Sequence, residues 1–151
     1  MSAADAPQYP GPLPLARSMS AFALASAGEA TFTRDGPRAD VEYRDLGLSA
    51  ATNGRIGIKH IRAITPLPRA TGWHWHDMDA HFVYVLKGWL TFRFAGVDGD
   101  VRVDAGSGLS QPAGVAHNVV ARSDDLEVLE INVPAHYGTF DLAEPPEGAH
   151  G

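Results

Sequence analysis

The sequence predicts an all-β domain of the sandwich, jelly-roll or barrel kind, and three observations carry that prediction. Runs rich in β-branched and aromatic residues are short and closely spaced, about ten in all. Glycine, proline, aspartate and asparagine punctuate them. No long stretch keeps a helical period. At 151 residues and 44% hydrophobic content the chain is long enough for one domain with a proper core.

Residues 1–17 are rich in proline and alanine and without periodicity, and read as a flexible N-terminal arm. The small apolar stretch at 19–27 follows Pro10, Pro12 and Pro14, with Arg17 as the nearby cation. That pattern fits an extended arm better than a signal peptide, and the expected location is cytoplasmic. The β domain is expected over 18–142 and a C-terminal tail over 143–151, where Pro145, Pro146 and Gly148 fall.

Within the domain the strands are expected at 30–34, 41–45, 55–64, 72–76, 81–87, 89–95, 100–103, 108–111, 117–122 and 126–133. Turns fall at Asn53-Gly54, Gly88, Asp98-Gly99 and Asp104-Ala105-Gly106, with one short helix at 47–51. Leu90, Phe92 and Phe94 share one face of their strand, opposite Thr91 and Arg93, and Leu129, Ile131 and Val133 share one face of theirs. Phe82, Tyr84, Leu86 and Trp89 lie on the face opposite His81, and a small monomer would expose them. A homodimer would cover them, as would another sheet or the arm.

Composition narrows the function. A formal charge of −6, with no basic run and no basic–aromatic stripe, gives no footing for nucleic acid. No apolar run reaches the roughly 18 residues of a membrane-spanning helix. There is no cysteine, so disulfides, thiolate ligands and cysteine nucleophiles are excluded. The expected partner is a small molecule.

Chemistry concentrates in residues 73–88, WHWHDMDAHFVYVLKG. In a strand, His74 and His76 point to one face with Cα atoms about 6.5–7 Å apart. Two imidazoles so spaced can converge on one ion at about 2.1 Å from each nitrogen. Trp73 and Trp75 then face the other way. His81 follows His76 at an odd spacing, so residues 77–80 must turn or bulge to restore its direction. His117 opens a new strand after a turn at 111–116. Spacing alone leaves these histidines equally readable as polar surface residues, with Asp77 and Asp79 as turn residues or competing ligands.

The two segments together resemble the paired signature motifs of the cupin superfamily. The first motif runs glycine, five residues, His-x-His, three or four residues, glutamate, six residues, glycine; His74, His76 and Gly88 stand in register, and His81 takes the glutamate position. The second runs glycine, five residues, Pro-x-Gly, two residues, histidine, three residues, asparagine; Gly106, Pro112, Gly114 and His117 match. Pro68 replaces the leading glycine and Ala121 the final asparagine. The phrase Tyr84-Val85-Leu86-Lys87-Gly88 is similar to that of small bacterial single-domain cupins.

The resemblance spans about 40–134. It implies a double-stranded β-helix (jelly-roll) barrel, a homodimer, and one divalent transition metal held by His74, His76, His81 and His117. A nitrogen-only donor set leaves the ion its full charge, which favours anionic oxygen chelates. It suits Fe2+, or Ni2+, Zn2+, Cu2+ or Mn2+, better than magnesium or calcium. Likeness to histidine-only iron cupins implies a dioxygenase acting on a small enolisable substrate.

Two alternatives stand beside that expectation: a redox-neutral isomerase, lyase or hydrolase, and a non-catalytic binder of small ligands. Against the redox-neutral reading, Asp77 and Asp79 fall in a turn and Glu130 shares its parity with none of the four histidines. Candidate pocket-lining residues are Val83, Phe92, Phe94, Gln111 and His60. His136 and His150 are expected at the surface.

Overall fold

The computed structural model describes residues 10–29 and 31–149. Ten strands form two five-stranded antiparallel sheets. One has the order β1 (Val41–Asp45), β2 (Gly57–Ala63), β9 (Glu127–Val133), β4 (Ala80–Lys87), β7 (Gly108–Gln111). The other runs β10 (Thr139–Asp141), β3 (His74–His76), β8 (His117–Arg122), β5 (Trp89–Phe94), β6 (Val101–Asp104). This is the jelly-roll barrel that the strand pattern anticipates.

Alternation decides what goes inside. Leu90, Phe92 and Phe94 of β5 meet Val83 and Val85 of β4, Val103 of β6 and Val128 of β9 in one buried cluster. On the outward face of β4, Tyr84 and Leu86 remain exposed. The hairpin between β4 and β5 turns on Gly88 at φ +72°, where any Cβ would collide with the Ser123 and Asp125 side chains.

The single-turn helix α1 (Leu48–Ala51) starts one residue later than expected, because Gly47 caps it at φ +86°. Two strand expectations need correction. At 30–34, only an isolated bridge between Thr33 and Tyr43 forms, and residue 30 lies outside the described residues. The short strand β10 was not anticipated; it pairs with β3 and stacks Phe140 on Trp75, ring centroids 4.5 Å apart. Strand ends elsewhere shift by at most two residues, as at β3, where Gly72 at φ +83° delays the start.

The N-terminal segment lies against the domain through its backbone. Ala51 O accepts from Ala21 N at 2.8 Å, and Arg55 and Arg44 donate to Met19 O and Ser26 O at 2.6 and 2.7 Å. Its side chains Leu15, Met19, Phe22 and Leu24 face outward. Among the described residues no helix is long and apolar enough to cross a membrane.

A buried ion pair ties the start of the sheet to the end of β8. Arg122 Nη2 donates to Asp40 Oδ2 at 2.7 Å and to Thr65 O at 2.8 Å, while Nη1 reaches Ser123 O at 3.0 Å. Removing the guanidinium leaves these acceptors without their donor. Arg122→Met should therefore lower the unfolding free energy by about 3 kcal/mol in urea titrations. An unchanged midpoint would show that the pair contributes nothing net.

Candidate metal centre

Three of the four expected histidines come together in the barrel. His74 and His76 project from β3 and His117 from β8, where His74 and His117 are directly paired across the strands. One ring nitrogen of each lies within 4.8 Å of the others. Ring centroids are 4.5 Å apart for His74–His117 and 5.1 Å for both other pairs.

Each ring is oriented by a bond on Nδ1. His74 Nδ1 lies 2.9 Å from Gly72 O, and His117 Nδ1 3.0 Å from Val115 O. A carbonyl only accepts, so both rings carry their proton on Nδ1 and present a free lone pair on Nε2. His76 Nδ1 is held 2.9 Å from the Thr139 hydroxyl of β10. This is the outer-shell arrangement that fixes metal-ligating imidazoles.

Electrostatics keep the cluster neutral. Burial, with His74, His76 and His81 nearby, pushes His117 down to about 3 despite the opposing Val115 carbonyl. Burial, then His81 and His74, lowers His76 to about 4. His74 is lowered as well, chiefly by burial. Three neutral imidazoles, with His74 and His117 presenting Nε2 lone pairs, need no deprotonation before binding a cation. The donor set fits a divalent transition metal and suits oxygen-preferring ions poorly.

His81 reaches the same interior by a route unlike a simple bulge. The chain leaves β3, crosses from one sheet to the other over 77–79, and enters β4. Asp77 Oδ1 accepts from Gly138 N, Asp79 N donates to Val133 O at 2.7 Å, and Met78 is buried between them. Both aspartates are thus engaged in the crossing. His81 is buried, its ring centroid 5.4 Å from that of His76 and 6.2 Å from that of His117. Its Nε2, however, lies 3.2 Å from Glu130 Oε2. A carboxylate accepts, so this nitrogen donates a proton there and presents no lone pair in this arrangement.

Glu130 corrects the parity argument. The register sets Glu130 opposite Val83 and Lys59, and Asn132 opposite His81 and Gly57. The inner face of β9 is therefore Val128, Glu130 and Asn132, while the apolar Leu129, Ile131 and Val133 face outward. Burial would raise the Glu130 carboxyl, but the His81 bond and charge, then Lys59 and a hydrogen bond from the Asn132 side chain, hold it below the usual carboxylate range. Its other oxygen lies 3.5 Å from the Tyr137 hydroxyl, and the Tyr137 ring packs edge-on to His76 at 5.3 Å. Burial, with Glu130 next, raises the Tyr137 phenol far above its usual range. Sequence reasoning set Glu130 aside on parity and missed Asn132 and Tyr137; the available signal was a pair of polar residues, Glu130 and Asn132, alternating through an otherwise apolar strand.

The other sequence candidates divide. Gln111 is buried and paired across the strands with His81, its Nε2 3.4 Å from His81 Nε2. Phe94 and Phe92 approach His117 with ring centroids at 5.6 and 6.4 Å, and with Val83 they belong to the packed core. His60 does not join them. It stands one residue out of phase with Lys59 and Ile61, on the outer face of β2, bound to Glu127 at 2.9 Å and edge-on to Phe32. His136 is exposed, and His150 lies outside the described residues. A small cavity of about 10 Å³ lies between the histidines and the turn at 112–115, with Met78 at its side.

A double-sheet barrel with a neutral histidine cluster inside one end defines the class of protein. Residues 64–132 match the family model of the cupin domain. The polyketide cyclase RemF from Streptomyces resistomycificus is similar in structure at TM-score 0.61 and 16% identity, over 82% of this chain and 87% of that one. KdgF from a Halomonas species is similar at TM-score 0.60 and 16% identity, over 76% and 96%. Oxalate decarboxylase of Bacillus subtilis, which has Mn(II) centres, is similar at TM-score 0.54 and 20% identity; the match covers 70% of this chain but 29% of that longer one. At these identities the likeness is one of fold. No curated protein matches the chain by sequence.

Protonation sets a test of the cluster. An unfolded chain protonates its histidines near pH 6.5, whereas the folded metal-free protein resists until about pH 4 for His76 and pH 3 for His117. The unfolded state thus binds more protons as pH falls below 6.5, and stability is lost across that window. Thermal scans of metal-free protein should show a falling Tm between pH 6.5 and 4, and His76→Gln or His117→Gln should flatten the slope.

Proposed function

We propose that the protein binds one divalent transition metal through His74, His76 and His117 and catalyses a redox-neutral, proton-transferring reaction on a small enolisable carbonyl compound. The observation that carries this reading is the juxtaposition of the His74, His76 and His117 cluster with the His81–Glu130–Tyr137 chain. When bound, such an ion supplies Lewis-acid polarisation of a carbonyl and stabilises the enolate that proton loss creates. The residues around it do the rest. Glu130, held ionised, accepts the proton; Tyr137, held protonated, sits on its other oxygen; and Lys59 across the sheet offsets the carboxylate charge. His81 fixes Glu130 by the Nε2 proton, and only with that proton passed to Glu130, or moved to Nδ1, would the same nitrogen offer a lone pair as a fourth donor.

A second reading, oxygen-dependent cleavage of the same class of substrate, is favoured by the nitrogen-only donor set, which leaves the ion its full charge for an enolate chelate. The two separate by oxygen consumption.

Protein purified without added metal should contain about one equivalent of a transition ion by elemental analysis. His117→Ala should weaken Ni2+ or Zn2+ binding more than about 100-fold and His81→Ala less than about 10-fold; equal losses would make His81 an obligate ligand. In D2O, metal-loaded protein should speed deuterium entry at the α-carbon of small ketones and 1,3-dicarbonyls by NMR, without oxygen uptake. Glu130→Gln should slow that exchange by about 100-fold or more. Oxygen consumption matched to substrate loss would replace this reading with the dioxygenase.

A further inference from the structure

Met78 is a buried side chain that neither the hydrocarbon core nor the proposed chemistry uses. It is 6% exposed, yet it takes no part in the apolar cluster that fills the barrel between the sheets. It lines instead the cavity of about 10 Å³ beside the metal centre, together with His76, His81 and His117. A space of that size holds one water-sized particle. The crossing between the sheets sets this position. Asp77 and Asp79 on either side are exposed. Asp77 is fastened through its carboxylate to Gly138 N, and Asp79 through its backbone N–H to Val133 O at 2.7 Å. Residue 78 is thus held between two pinned neighbours. Methionine gives up more rotamer freedom on burial than leucine or isoleucine. What it adds is a thioether, a soft and uncharged donor.

The metal centre has a place for such a donor. Nitrogens of His74, His76 and His117 lie within 4.8 Å of one another, and a tetrahedral ion takes four ligands. His81 Nε2 lies 3.2 Å from Glu130 Oε2 and donates its proton there. We propose that Met78 is a metal ligand whose thioether completes the set begun by His74, His76 and His117 and makes the centre selective for copper, Cu+ above all. This rests on the three-histidine binding proposed above and is independent of which reaction follows. Imidazoles alone suit Zn2+ and Ni2+ as well as copper; adding a thioether favours the softer Cu+.

X-ray absorption at the copper edge of Cu+-loaded protein, prepared without thiols, should show one sulfur at about 2.3 Å beside imidazole nitrogens. The chain has no cysteine, and Met19 is exposed on the N-terminal segment. A sulfur neighbour that Met78→Leu removes is therefore that of Met78. In competition with bathocuproine disulfonate, Met78→Leu should bind Cu+ at least about tenfold more weakly, while Zn2+ affinity stays within about threefold. Leucine has nearly the same volume, so the metal-free variant should keep its Tm within about 5 °C. The spectrum of the unaltered protein is the test by itself if the variant does not fold.

A copper shell of nitrogen alone, or Cu+ binding undiminished in Met78→Leu, overturns the assignment and returns Met78 to packing. Equal losses of Cu+ and Zn2+ also overturn it, because they mean that the substitution disturbs the histidines rather than removing a donor. If the unaltered protein binds neither ion, the three-histidine centre itself fails and takes this inference with it.

Discussion

Imidazoles placed inside an apolar barrel are tolerable only if they stay neutral and each ring N–H finds an acceptor. The structure meets both conditions with backbone already present. His74 and His117 each bond the carbonyl two residues upstream, Gly72 O and Val115 O, and each of those segments turns on a glycine at positive φ, Gly72 or Gly114. The turn orients the carbonyl, the carbonyl fixes the tautomer, and the tautomer aims Nε2 inward. Glycines that look like simple loop punctuation therefore determine where the nitrogens point. Burial then keeps the rings neutral, which the site needs if a cation is to enter without displacing protons.

Much of this was legible in the sequence because strands have a period of two. That period sets His74 and His76 on one face, Trp73 and Trp75 on the other, and the phenylalanines of β5 in the core. The turn before His117 was equally readable, because glycine and proline carry their geometry with them. What escaped depended on pairing between distant segments. In β9 the apolar alternates face outward and the inner face holds Glu130 and Asn132, a reversal that only the register with β4 reveals. The return of His81 to the interior came from a crossing between sheets, pinned by Gly138 and Val133. β10 is three residues long and has too little pattern to announce itself. Residues 31–34 have strand composition but make a single bridge, Thr33 to Tyr43, at the open edge of β1.

The interior is divided into two territories. Toward β5 and β6 it is packed hydrocarbon, with Phe92 and Phe94 against the histidine cluster. β2, β9 and β7 add Ile61, Val128 and Leu109 to that hydrocarbon, but they also carry Lys59, Glu130, Asn132 and Gln111, with the phenols of Tyr43 and Tyr137 in electrostatic reach of Glu130. Burial, the largest influence, raises Tyr43 to about 12, so that wall keeps its hydroxyl protons at neutral pH. A molecule lying between the two walls would meet acceptors and donors on one side and ring faces on the other, which fixes its orientation before any reaction.

The seam between β3 and β8 carries a mechanical consequence. Those strands share one paired position, His74 with His117, while β3 is otherwise zipped to the three-residue β10. An ion held by His74, His76 and His117 would span that gap and act as a rivet through it. The C-terminal segment belongs to the same fastening, because Thr139 steers His76 and Phe140 lies flat on Trp75. Loss of the last strand would thus loosen the reactive end of the barrel from outside, without touching a single ligand.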